Sequence, residues 1–141
     1  MPDSETAHQA GQVWRELLAL VHERHDRRKE ACEALDLSFV RIKALRRIAI
    51  EPTTMRELAA GLQTDAPYTT LVVDDLERRG LVLRAPHPAD RRAKLVTATE
   101  LGRAEAARAE EILTQPPPQM LALDPEELTT LARIVAKLGS A

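Results

Sequence analysis

Two adjacent guanidinium groups, Arg91 and Arg92, sit in the stretch Pro86-His87-Pro88-Ala89-Asp90-Arg91-Arg92-Ala93. The two prolines restrict the backbone leading into them, so the arginines stand on a stiffened projection. Guanidinium groups carried on such a tip suit a narrow, electronegative cleft, and the minor groove of a DNA duplex is one. Arg84 and Lys94 flank the tip with charge suited to phosphate oxygens. Upstream, Tyr68, Thr70 and Leu71 form a second set: two hydroxyls able to hydrogen-bond to base edges or phosphate, and an apolar group able to meet a thymine methyl. Arg56 adds a further cation. There is no glycine-rich phosphate loop and no nucleophile paired with a base, so neither an enzyme nor a cofactor is expected.

Residues 54–102 must position these groups. Thr54-x-x-Glu57 is a capping box that satisfies backbone N–H groups at a helix start, and Met55, Leu58, Ala59 and Leu62 follow at i, i+3, i+4 and i+7. Asp65 is expected to cap a second helix, with Pro67 tolerated in its first turn. In that helix Thr69, Val72, Val73 and Leu76 point inward. Pro67, Tyr68, Thr70, Leu71, Asp74 and Asp75 therefore point outward, and Gly80 supplies the positive φ that ends the helix. The period then changes to two, with Leu81 and Leu83 set against Val82 and Arg84, and Leu95 and Thr97 against Val96. Two short strands follow from it. A helix, a turn, a second helix and a charged hairpin make a winged helix-turn-helix. The fold class is mainly α with a small β-hairpin wing (α+β).

The strings Leu-Glu-Arg-Arg-Gly-Leu-Val-Leu-Arg (76–84), His-Pro-Ala-Asp-Arg-Arg-Ala-Lys-Leu-Val (87–96) and Thr-x-x-Gly (99–102) closely resemble the MarR family of bacterial winged-helix transcription regulators. Thr-x-x-Glu-Leu-Ala-x-x-Leu (54–62) and the terminal Leu-Asp-Pro-Glu-Glu-Leu-Thr-Thr-Leu (123–131) also look like that family, and the matches together span about two-thirds of the chain in family order. The resemblance implies an obligate homodimer with one DNA-binding lobe per subunit, a repressor or activator whose DNA affinity answers to a small molecule or to oxidation. It implies that Asp90 braces Arg92 by an ion pair. It also places a crevice for small aromatic or lipophilic anions between the dimer helices and the lobe, bordered here by Trp14, His22, His25, Phe39 and Arg41. Family members often carry arginine or lysine where Leu71 and Asp75 stand. Without that guanine-reading group, and with Asp74 and Asp75 repelling any phosphate they approach, more of the affinity falls to Arg92 in the minor groove and to Arg91, Arg84 and Lys94 on phosphates.

The 141 residues suffice for one domain, and 2% aromatic content with few glycines favours helices over sheets. The polar N-terminus lacks the apolar core of a signal peptide, and no apolar run is long enough to span a bilayer, so a cytoplasmic protein is expected. The net charge of −2 hides an uneven distribution: 11 basic and 7 acidic residues fall in 37–95, against 5 and 8 in 1–36 and 4 and 7 in 96–141. A basic lobe carried on acidic outer helices fits.

Residues 37–102 are accordingly assigned to the DNA-binding lobe, and 7–36 and 103–141 to dimerisation helices. The first helix is expected over 7–31, with Val13, Trp14, Leu17, Leu18, Leu20 and Val21 forming a stripe wider than one lobe can cover. A helix capped by Ser38 runs to Ile50, burying Phe39, Ile42, Leu45, Ile48 and Ala49 and presenting Arg41, Lys43, Arg46 and Arg47. Arg103 to Gln115 is alanine-rich, suited to close approach between subunits, and ends at Pro116-Pro117-Pro118. Asp124, Pro125 and Glu127 start the last helix, with Leu128, Leu131, Ile134, Val135 and Leu138 as its apolar stripe. Two unpaired amphipathic ends predict a homodimer, and a two-fold dimer sets its helices ~34 Å apart on a pseudo-palindromic duplex.

His22 and His25 share a helix face, but two histidines alone do not make a metal site, and no metal is expected. Cys32 permits a redox-sensor alternative. Arg28 and Lys29 would lower its pKa while Glu30 and Glu33 oppose them, which favours an inert thiol. A second alternative is a dimeric interaction module with weak or no DNA binding, motivated by the acidic second helix.

Overall fold

The computed structural model describes residues 1–140. Its elements in chain order are α1 (Ser4–Ala19), a π-helical turn (Leu20–Arg24), α2 (Arg27–Leu35), α3 (Phe39–Ile50), β1 (Thr53–Thr54), α4 (Met55–Leu62), α5 (Ala66–Arg78), β2 (Val82–Pro86), β3 (Lys94–Ala98), α6 (Glu100–Thr114), α7 (Pro118–Leu121) and α8 (Pro125–Gly139). The fold is mainly helical with one small antiparallel sheet, in the order β1-β3-β2. Among the described residues no helix is long and apolar enough to cross a membrane.

The lobe is built around α5. Thr69, Val72, Val73 and Leu76 are all buried, as the 3.6-residue period requires. Val72, Val73 and Leu76 pack with Ile42, Leu45, Ile48, Leu58, Val82 and Val96 into one apolar cluster. The cluster also takes in Ala31 and Leu35 of α2 and Ala106 and Ala109 of α6, so the lobe's packing reaches beyond 37–102. The small side chains of α6 thus serve close packing inside one chain, where α6 lies against α2 and α3.

Three local expectations change. The single helix expected over 7–31 is broken: the His25 N–H reaches the Leu20 carbonyl at 3.0 Å in an i→i+5 bond, and the Asp26 carboxylate accepts from the Lys29 N–H at 3.0 Å to start α2. Aspartate competes for backbone N–H groups and so favours caps over helix interiors. The sheet gains a third strand, because Thr53 and Thr54 pair with Val96 and Leu95. A two-residue strand is too short to produce an alternating pattern. Finally, Leu81 and Leu83 do not share a face: Leu81 precedes β2 and is buried, while Leu83 is 58% exposed and Val82 holds the inner position.

The capping chemistry is as expected. Thr54 and Glu57 exchange hydrogen bonds at 3.1 and 3.3 Å, and Asp124 and Glu127 do the same at 2.9 and 3.1 Å. After α5, Gly80 at φ 76° lets Leu81 N–H return to the Leu76 carbonyl and Gly80 N–H to that of Glu77, both at 2.9 Å, a Schellman closure. The Thr99-x-x-Gly102 motif has a structural reason as well. The Thr99 hydroxyl donates to the Gly80 carbonyl at 2.7 Å and accepts from Gly102 N–H at 3.0 Å. A Cβ on Gly102 would overlap the Leu81 carbonyl oxygen, so only glycine lets α6 sit this close to the end of α5.

Outside the lobe, α1 and α8 bury no residue. Sustained contact for α1 is limited to the π-helical turn, and α8 has none with any other element.

Candidate nucleic-acid interface

Helix α5 starts where Asp65 accepts the Tyr68 N–H at 2.8 Å. Its first two turns expose Ala66, Pro67, Tyr68, Thr70 and Leu71, with Leu71 60% exposed. The Thr70 hydroxyl donates to the Ala66 carbonyl at 3.0 Å, so its hydrogen is turned back onto the helix.

The wing is the hairpin of β2 and β3, in register from Val82 opposite Ala98 to Pro86 opposite Lys94. Its loop is closed by His87 N–H on the Ala93 carbonyl at 3.0 Å and by Ala93 N–H on the Asp90 carbonyl at 3.1 Å. Asp90 does not brace the Arg92 guanidinium as the resemblance implied. Its carboxylate instead accepts the Arg92 backbone N–H at 3.0 Å, an Asx-type turn that shapes the tip and leaves the side chain to solvent. Arg91, Arg92, Lys94 and Arg56 are exposed, and none takes part in an ion pair among the described residues.

Arg84 is engaged differently from these four. Its guanidinium pairs with Asp74 and, at 3.2 Å, with Glu77, and its backbone N–H donates to Glu77 at 3.0 Å. Hydrogen bonding from Arg84 holds the Glu77 carboxyl below its ordinary range, and bonding to Asp74 raises Arg84 itself. This cluster ties β2 to α5. Asp75 is likewise occupied, by Arg41 at 2.9 Å, Arg79 at 3.2 Å and Arg78 at 3.3 Å. The expectation of bare aspartates on the second helix therefore fails, because long-range arginines neutralise both.

The other residues singled out from the sequence are spread over the molecule. Trp14 is 61% exposed on α1. His22 lies in the π-helical turn and His25 at its end. Phe39 lies beneath the Arg28 guanidinium at 4.6 Å, and Arg41 is held by Asp75. A groove of about 740 Å³ opens on another face, between α3, α4 and α6, with Lys43, Arg47, Arg103, Ile50 and Leu62 in its lining. Arg46 at its edge pairs with Glu110. Gly61 gives Arg47 room there, since a Cβ would run into its guanidinium. The groove escaped sequence reading because it draws on three helices. Cys32 is half-buried, and burial, followed by Asp26 and Glu33, pushes its thiol up, which keeps it protonated and slow as a nucleophile. Among the described residues no group of three His, Cys, Asp or Glu side chains could hold a metal.

The MarR family model matches residues 38–94, the span from the cap of α3 to the start of β3. Solved structures match over nearly the whole chain. YusO from Bacillus subtilis is 21% identical, covering 99% of each chain with a TM-score of 0.77, a likeness of fold. Wild-type MarR from E. coli in its apo form is 26% identical over 99% of this chain and 98% of that one, TM-score 0.70. A mutant MarR from E. coli complexed with operator DNA is 28% identical over 89% and 92%, TM-score 0.61. Over residues 38–94 the chain matches the MarR family of winged helix-turn-helix DNA-binding transcriptional regulators, and nearly its whole length shares the fold of E. coli MarR.

Proposed function

We propose that two copies of this chain join through α1 and α8 and that the pair grips a pseudo-palindromic operator, acting as a repressor whose DNA affinity responds to a small anionic ligand. The observation that carries the reading is the exposure of α1, the π-helical turn and α8, where Val13, Trp14, Val21, Val135 and Leu138 are more than half exposed and neither α1 nor α8 buries a residue. Exposed apolar surface in continuous stripes marks an interaction site, and a second copy offers the same stripes in return. Two-fold pairing would set two α5 helices ~34 Å apart, one turn of duplex. The E. coli relative complexed with operator DNA supports the target.

In this reading α5 enters the major groove with Tyr68, Thr70 and Leu71, and Arg92 enters the minor groove. Arg91, Lys94 and Arg56 contact phosphates, while Arg84 serves by fixing the wing on α5. A dimer covering a promoter excludes polymerase by volume, hence repression in the cytoplasm. The groove beside Lys43 and Arg47 suits an anion with an apolar body better than the crevice expected at Trp14, His22, His25, Phe39 and Arg41. The alternative of an interaction module with weak or no DNA binding drew on the acidic second helix, and the pairing of Asp74 and Asp75 with arginines favours the DNA-binding reading over it.

The test is a mobility-shift assay with the intergenic DNA upstream of the protein's own gene, at low and moderate salt. Arg92→Ala should weaken binding roughly tenfold, as loss of a groove-inserted arginine does. Binding indifferent to both salt and Arg92→Ala would sink the proposal. For the ligand, aromatic carboxylates such as benzoate should raise the melting temperature of the protein and lose that effect in Arg47→Ala.

A further inference from the structure

We infer that α5 selects A·T-rich major-groove steps by contact with thymine methyl groups, with Leu71 as the specificity-determining residue. The inference rests on the DNA-binding reading above and names what the bound surface recognises.

The argument proceeds by elimination along the exposed face of α5. Guanine is read in the major groove by arginine or lysine, adenine by asparagine or glutamine in bidentate pairing, and cytosine by a carboxylate that accepts from N4. Residues 66–77 of α5 contain no Arg, Lys, Asn or Gln, and the helix's cation, Arg78, lies at its far end, bonded to Asp75. The two carboxylates that could accept from cytosine, Asp74 and Asp75, are held by Arg84 and by Arg41 with Arg79. Asp65 is committed to the helix cap. The Thr70 hydroxyl proton is committed to the Ala66 carbonyl.

What remains on the surface is mostly apolar, Ala66, Pro67, the Tyr68 ring and Leu71, with the Tyr68 hydroxyl as a single polar group able to meet a base edge or a phosphate. Thymine is the base whose major-groove edge carries a methyl group. Leu71 is 60% exposed in a lobe that buries Leu45, Leu58 and Leu76 completely. Placed against a thymine methyl, it would lose that exposure to water.

The experiment is selection of duplexes from a randomised pool with the full-length protein, followed by replacement of thymidine with deoxyuridine at the enriched positions. Thymine should be enriched at two places one helical turn apart. Removing a contacted methyl should weaken wild-type binding about fourfold per group, the transfer free energy of one such carbon, and should leave Leu71→Ala unchanged. Leu71 is a surface residue, so that variant folds. Enriched guanine at those positions, or binding indifferent to the methyl, overturns the inference while leaving DNA binding intact. A methyl effect that survives Leu71→Ala overturns the assignment to Leu71. Failure to bind any duplex at low salt overturns the underlying DNA reading instead.

Discussion

Helices α5 and α8 are close to the same length and both are amphipathic, yet their apolar stripes meet opposite fates. In α5 Thr69, Val72, Val73 and Leu76 are buried to 1% exposure or less, whereas in α8 Val135 and Leu138 remain 56% and 68% exposed. The difference lies in what surrounds each stripe: α3, α4 and β2 pack against α5, and α8 stands apart with α1. An amphipathic helix draws most of its stability from packing its apolar face, and α8 leaves that face uncovered. The comparison separates a lobe that packs its own stripes from an outer layer whose stripes stay exposed, the face assigned above to the proposed dimer.

The sharpest way to break that comparison is to charge the outer layer. Val135→Asp combined with Leu138→Asp should abolish the dimer, because each charge would have to be buried at a cost of several kcal/mol. Sedimentation velocity should show monomers with unchanged helical content in the lobe, and a persisting dimer would refute the assignment of α8 to the interface. The matching change inside the lobe, Leu76→Ala, should lower unfolding stability by ~2–5 kcal/mol. Chemical denaturation should report this loss whatever the protein concentration, in contrast to the α8 variant. Gly102→Ala should cost about 3 kcal/mol, because the new methyl collides with the Leu81 carbonyl and α6 must shift. A melting temperature within a degree of wild type would show that the close approach is not required.

The smallest effect concerns the wing anchor. Glu77 has its pKa depressed by Arg84, so its stabilising contribution is present above the unfolded value of about 4.3 and is lost as pH falls through the lower folded value. Hydrogen-exchange protection at the Arg84 backbone N–H should therefore hold in mildly acidic buffer and decline only as the pH falls below about 4.3, and Glu77→Gln should flatten that dependence. Protection that is equally pH-dependent in Glu77→Gln would assign the effect to another group.

Local features were legible in advance wherever one residue type had one backbone task. Thr54 with Glu57, Asp65, Gly80, and Asp124 with Glu127 each cap or close a helix through bonds spanning a few residues, and the inward face of α5 follows from its period. Of the residues proposed to contact DNA, Arg91, Arg92, Lys94, Tyr68 and Leu71 all emerge exposed, which the outward positions in the sequence anticipated. The interface was misread where a charged side chain is claimed by a partner within the lobe itself. Arg84 was expected on phosphate and is occupied by Asp74 and Glu77. Asp75 was expected to be bare and holds three arginines. Asp90 was expected on the Arg92 guanidinium and binds its backbone instead. The Leu20–Asp26 break was hidden because only Leu20 and Val21 are apolar in that stretch, too few to show a change of period.

The sequence by itself determined where the capped helices α3, α4, α5 and α8 begin, which stripe of α5 faces inward and that a charged hairpin follows it, because caps, glycine conformations and periodicity depend on neighbours within about one or two helical turns. Tertiary structure decided which charges are spent inside the lobe and which stay free, what Gly102 lies against, and that Thr53 and Thr54 complete the sheet. Those outcomes depend on distances between elements far apart in the chain, and ion pairing is governed by that separation in space.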